Sequence, residues 1–258
     1  MDIALVLAGF VVGILVGLTG MGGGSLMTPI LVLLVGVKPT IAVGTDLFYA
    51  AFTKIIGGTV HGFQKTVSVR VAGLLLAGSL PGSLVAGYFL SQLKKSLGDS
   101  LEDAIAKGLG IMLIVVAISL LAPGMKNRSE DGEDNWLSRL KKGKEAVLPV
   151  VGFIVGFLVT LTSIGSGTLI CATLFLLFPS LGVAKIVGTD VAHAAALVSV
   201  AAASHLFIGD VDMSLAFNLM AGSVPGIMIG SRLVVSFPEK VLRFSMSGVM
   251  LLAGIKLV

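Results

Sequence analysis

Asp46, Lys54, Asp190 and His193 are ionisable side chains set in runs that are otherwise apolar. Inside a membrane such groups are costly, so they pair with one another, face water or mark a pathway for an ion or substrate. Asp46 follows Gly44 and Thr45, and Asp190 follows Gly188 and Thr189, so one Gly-Thr-Asp motif stands twice, 144 residues apart. On a helix, Asp46, Tyr49, Thr53 or Lys54, Gly57 and His61 step by three or four and share a face. Lys54 has Val198 as its counterpart in the second copy. Two roles fit it: countering Asp46, or receiving an anion. Tyr49 corresponds to His193, which lies deep in its run and suits a protonatable coupling group alongside Asp46 and Asp190. His61 and His205 fall near the ends of their runs and read as satisfied interfacial histidines.

A second pair of motifs lies upstream. Gly20-Met21-Gly22-Gly23-Gly24-Ser25 returns as Ser163-Ile164-Gly165-Ser166-Gly167-Thr168, at an offset of 143 residues. The apolar segment after the first turn, Ser25 to Val37, has 13 residues. At a rise of 1.5 Å per residue that spans about 20 Å, short of the roughly 30 Å hydrocarbon core. The matching segment, Thr168 to Pro179, is shorter still. Each turn is therefore expected within the bilayer, where irregular backbone is tolerated only if it lines a cavity or packs on protein. Ser25 or Thr28, and Ser166 or Thr168, are expected to cap the short helices. A helix N-terminus suits an anion, and glycines let it approach the backbone. Gly22, Gly23, Gly24, Ser25, Thr28, Thr45, Lys54, Gly165, Ser166, Gly167, Thr168 and Thr189 are thus the expected substrate-binding set. By contrast, Gly9, Gly13 and Gly17, and Gly222, Gly226 and Gly230, recur every four residues as in closely packed membrane helices.

The elements that position these residues follow from composition. Mean hydropathy is +1.05 and charged residues make up 12%, about half the charge of a soluble domain. Ten apolar segments can be drawn, five per half: 3–20, 25–37, 41–60, 68–90 and 104–122, then 147–162, 168–179, 184–207, 214–235 and 241–257. Residues 1–122 form the first membrane repeat and 147–258 the second. The polar stretch 123–146 reads as a cytoplasmic linker, with a short amphipathic helix around Trp136. The first apolar run lacks a cleavage signature and is expected to be a retained helix. With the N-terminus outside, 12 basic residues fall on the cytoplasmic side and 5 outside, with Lys54 in the membrane. Five segments per copy is odd, so the second copy is expected to be inverted. Lys65 and Arg70 follow His61, whereas Asp210 and Asp212 follow His205, as opposite sidedness would select. Joining each Gly turn into one span would instead give four spans per half and parallel repeats. Pro81 and Pro225, in the repeated Ser79-Leu80-Pro81-Gly82 and Ser223-Val224-Pro225-Gly226, are expected to kink their helices. The expected fold is an all-α polytopic membrane protein of two inverted repeats, with short broken helices after the Gly turns.

The lone Cys171 in an apolar run offers no disulfide or thiolate metal site. The formal charge of +4 requires no nucleic-acid partner. No His-Glu-x-x-His, Gly-x-Ser-x-Gly or Walker A motif occurs, so neither an enzyme nor a cofactor is expected.

The run from Gly20 to Pro29, followed by Gly44-Thr45-Asp46 and the His61 region, resembles the repeat motif of the sulfite exporter TauE/SafE family. The second copy, with Gly165-Ser166-Gly167, Gly188-Thr189-Asp190 and Ser223-Val224-Pro225-Gly226, is a more degenerate version. The resemblance implies transport, and export in particular, of a small sulfur-containing anion such as sulfite or an organosulfonate. Expected partners are that anion, the lipid bilayer and protons as coupling ion, with a homodimer open. A cation or metal transporter, or an anion channel, would use the same polar groups. Two intramembrane aspartates and one deep histidine are a thin ligand set for a metal.

Overall fold

The computed structural model describes residues 3–19, 24–98, 100–121, 144–233 and 239–258. Among these residues the first copy contributes α1 (Ile3–Thr19), α2 (Gly24–Ile30), α3 (Pro39–Phe63), α4 (Val69–Leu97) and α5 (Ser100–Leu121). The second contributes α6 (Lys144–Thr162), α7 (Thr168–Leu177), α8 (Val183–Ile208), α9 (Met213–Leu233) and α10 (Glu239–Leu257). No strand occurs among the described residues. Helices α4, α5, α6, α8 and α9 are long and apolar enough to cross a membrane. The fold is an all-α polytopic membrane fold. The expected linker and its Trp136 helix lie outside the described residues, apart from Lys144, Glu145 and Ala146, which open α6.

One short helix, α7, follows its Gly turn as expected, and the other, α2, is described from Gly24 onward. α2 has 7 residues and continues through a 5-residue π-helical turn, Leu31–Val35; α7 has 10 residues. At 1.5 Å per residue neither reaches across a roughly 30 Å core. The expected side-chain caps differ from what forms. α7 starts at Thr168 behind Gly167, which has no side chain to cap it, while Ser166 is engaged elsewhere. α2 already begins at Gly24, so Ser25 and Thr28 lie within the helix.

Contacts between the copies are reciprocal, as between subunits related by a two-fold axis. α1 runs parallel to α9: a Cβ on Gly9 would stand 2.5 Å from Leu219 O, and one on Gly13 2.4 Å from Ser223 O. α6 runs parallel to α4 in the same way, with Gly152 2.3 Å from Leu75 O and Gly156 2.2 Å from Ser79 O. Leu75 and Ser79 are the counterparts of Leu219 and Ser223. Each copy's first helix thus packs on the fourth helix of the other. The partners' glycines match: Gly222 and Gly226 approach Val6 O and Phe10 O, while Gly78 and Gly82 approach Pro149 O and Phe153 O. Without a hydrophobic driving force between helices in lipid, this closeness supplies the van der Waals contact that holds them.

α3 and α8 pair with each other and run antiparallel. Gly44, near the start of α3, lies against Asp210 beyond the end of α8, and Gly57 lies against Val191. Gly188, near the start of α8, lies against Thr66 beyond the end of α3. Polar contacts join the ends that this arrangement brings together. Thr40 at the start of α3 bonds Glu102 in α5, Arg70 of α4 pairs with Glu145 of α6, and Lys94 of α4 pairs with Asp210.

Candidate functional site

Gly24, the last glycine of the first motif, meets the second Gly turn. A Cβ on Gly24 would stand 2.1 Å from Ser163 O and 3.0 Å from Asp46 Oδ2. Ser163 ends α6, its N–H donating to Val159 O at 2.7 Å, and takes a left-handed conformation at φ 58°. That backbone turn aims its side chain at the first copy. Ser163 Oγ donates to Asp46 Oδ2 at 2.6 Å, and Thr28 Oγ1 donates to the same oxygen at 2.7 Å. Asp46 therefore ties the first turn's helix to the second turn. Its other oxygen, Oδ1, is buried without a partner.

Lys54 crosses to the second copy. Two turns along α3 from Asp46, it places Nζ 2.6 Å from Ser166 Oγ in the second turn. Asp46 and Asp190 are the carboxylates whose charges reach Lys54. The sequence left it between countering Asp46 and receiving an anion. Its hydrogen-bond partner is instead a neutral hydroxyl at the mouth of α7. Thr168, the first residue of α7, has its hydroxyl buried without a partner.

Asp190 repeats the Asp46 arrangement with different chemistry. Cys171 is the counterpart of Thr28 and lies beside Asp190 as Thr28 lies beside Asp46. Asp190 Oδ1 is buried with no hydrogen-bond partner. One turn further along α8, His193 Nε2 shares a 2.9 Å hydrogen bond with Ser79 Oγ, and its Nδ1 is unpartnered. The counterpart pair is Tyr49 and Ser223, which face each other with the Tyr49 hydroxyl unbonded. In these two pairs, the Ser of each Ser-x-Pro-Gly motif reaches the position three residues after an aspartate of the other copy.

Thr45 and Thr189 stand apart from the turns. Thr45 Oγ1 accepts the N–H of Asp212 at 3.0 Å, and Thr189 Oγ1 accepts the N–H of Ser68 at 2.9 Å. Ser68 and Asp212 are themselves counterparts, so the same clasp is made at both ends of the α3–α8 pair. The Gly-Thr-Asp motif divides its labour accordingly. Its Gly admits the neighbouring loop, its Thr holds that loop, and its Asp faces the turns. Gly209, at φ 81°, makes the bend after α8 and donates to His205 O and Leu206 O. His205 is buried with Nε2 2.8 Å from Thr160 O, and His61 Nδ1 is 2.9 Å from Thr66 Oγ1.

The expected set thus divides. Gly24, Thr28, Asp46, Lys54 and Ser166 come together across the two turns, with Asp190 in the field of Lys54, and Gly165, Gly167 and Thr168 complete the second turn. Ser25 is buried on α2, whereas Gly22 and Gly23 lie outside the described residues. Reading by sequence missed Ser163, Cys171 and Ser79 as partners of the ionisable groups. The 143-residue offset that aligns Thr28 with Cys171 was the available signal for the second of these. Among the described residues, no group of three or more His, Cys, Asp or Glu side chains could hold a metal ion.

Comparison with known proteins gives the family. Residues 5–257 match the family described as sulfite exporter TauE/SafE. The chain is 40% identical over 258 residues to "Probable membrane transporter protein YjnA" of Bacillus subtilis, covering 100% of both chains. It is 26% identical to "Probable membrane transporter protein YunE" of the same organism, over 99% of this chain and 97% of that one. It is 36% identical over 174 residues to "Probable membrane transporter protein MJ0441" of Methanocaldococcus jannaschii, covering 64% of this chain and 58% of that one. No solved structure gives a significant match. The match over nearly the whole length, together with the apolar helical fold, places this chain in the sulfite exporter TauE/SafE family of membrane transporters.

Proposed function

We propose that the protein exports a small sulfur-containing oxyanion, such as sulfite or an organosulfonate, by alternating access around the junction of the two Gly turns. One observation carries the reading: a lysine inside an apolar helix points at the start of a short helix, Lys54 at Ser166, and its only hydrogen-bond partner among the described residues is neutral. A cation with a helix N-terminus beside it is the chemistry that holds an oxyanion. Thr168 Oγ1, buried and unpartnered at that helix start, supplies a further donor. The family description, sulfite exporter, supports the class of anion and the direction.

Antiparallel pairing of α3 with α8 supports repeats inverted in the membrane, with α2 and α7 entering from opposite sides. In the inner membrane the N-terminus then lies outside, and residues 123–146 join the halves in the cytoplasm. Asp46, Asp190 and His193 are fully or nearly fully buried, which describes a state closed to both sides. Asp190 is the foremost coupling group, because no hydroxyl among the described residues bonds it, whereas Asp46 is held by two. Protonation of Asp190 would remove a negative charge that competes with the anion for Lys54, so proton and anion would bind and move together. Thermal-shift titration of purified protein with sulfite, sulfate, thiosulfate and sulfonates tests the reading. Stabilisation by sulfite or a sulfonate above equal ionic strength of chloride is expected; no anion-specific shift would count against it.

A further inference from the structure

A cavity of about 520 Å³ opens between the C-terminal parts of α4 and α8, and none of Asp46, Lys54, Ser163 or Ser166 lines it. Gly87 forms its floor, where α4 passes close to Ser204 of α8. Lys94, Lys95, Ser91 and Ser204 line it, with Phe207 and Ile208, and no acidic side chain is among the lining residues. Two lysine ammonium groups therefore line one hollow beside the loop that follows α8.

The lysines differ in what they are free to do. Lys94 donates to Asp210 Oδ1 and to Ile208 O, which anchors its ammonium at the cavity wall and leaves one N–H. Lys95 is exposed, and the described residues include no carboxylate within ion-pair distance of it. Ser91 and Ser204 each bond a carbonyl of their own helix, Tyr88 O and Val200 O, and their hydroxyls can rotate to donate elsewhere. Phe207 is 93% exposed at the rim and offers an apolar surface beside the charge.

We infer that this cavity binds a tetrahedral oxyanion, the phosphate of an anionic lipid headgroup or a free inorganic anion, through Lys94 and Lys95. The site is separate from the transport site and does not depend on it. Lys94 keeps its contact with Asp210 while its third N–H takes the anion, so binding there braces the end of α4 against the loop that clasps Thr45.

The test measures the Tm of purified protein in a neutral detergent. One arm adds dioleoylphosphatidylglycerol against phosphatidylcholine, and the other adds sodium phosphate against sodium chloride at equal ionic strength. The wild-type protein is compared with Lys95→Gln, which breaks no contact within the fold, and with Lys94→Gln. An upward shift with phosphatidylglycerol or with phosphate, lost in Lys95→Gln, supports the site, and the arm that responds identifies the source of the anion. A wild-type protein that shifts no more than its control in either arm overturns it. So does a shift that Lys95→Gln retains in full, because that response belongs to another site.

Discussion

Lys54 and the aspartates show how single residues divide the work at the junction. Asp46 accepts two hydroxyls on one oxygen and so acts as a tie between the copies. Thr28→Val should leave that carboxylate with one donor fewer in a buried place. A cost of about 1–3 kcal/mol is expected, read as a lower Tm in detergent. Lys54→Met should leave the fold standing and weaken anion binding. A hydrogen bond to a charged group contributes about 1.5–3 kcal/mol, so affinity for sulfite should fall about ten- to a hundredfold, by the same thermal-shift titration. The ionisable residues were legible in the sequence because a charge in an apolar run has few cheap explanations. Their partners were not. Ser163 reaches Asp46 only because its backbone turns left-handed at φ 58°, and nothing in a serine announces that. Cys171 was set aside for its lack of thiolate chemistry, although its place opposite Asp190 follows from its alignment with Thr28.

At the scale of elements, the Gly-Thr-Asp motif is a device for fastening a loop to a helix. The threonine hydroxyl takes the N–H of a residue that opens the next long helix, and the glycine removes the Cβ that would block the loop. Thr189→Val should free the Ser68 amide and speed its hydrogen exchange, while exchange at Asp212 stays as in the wild type. Unchanged protection at Ser68 would mean that the clasp holds little. Gly44→Ala would put a Cβ 2.1 Å from Asp210 O, and overpacking of this kind typically costs about 1–3 kcal/mol. The spacing of small residues on α1 and α9 was read as close packing, and the structure has that packing. The sequence could not show that each glycine-rich face meets the other copy. A periodic stripe says which face is buried and is silent about its partner.

Across the whole molecule, the duplication is interlocked: first helices pack on fourth helices of the other copy, and third helices pair antiparallel. Two copies exchanged in this way have no separate cores, so each repeat depends on the other to bury its small-residue faces. Inversion makes a plain prediction about sidedness. In intact cells, a cysteine at Val211 should react with a membrane-impermeant maleimide, and one at Gln64 should react only after lysis. Labelling of both from one side would contradict inverted repeats. The apolar composition made the all-α membrane fold legible, and the repeat showed which helices are counterparts. What remained hidden was the junction, because its contacts run between residues more than a hundred positions apart, such as Lys54 and Ser166. The central claim is that this junction carries the anion. Counterflow of labelled sulfite in proteoliposomes tests it most directly, with wild-type protein and Lys54→Met at equal amounts. Accumulation by the wild type and none by the variant is predicted; equal accumulation by both would contradict the account.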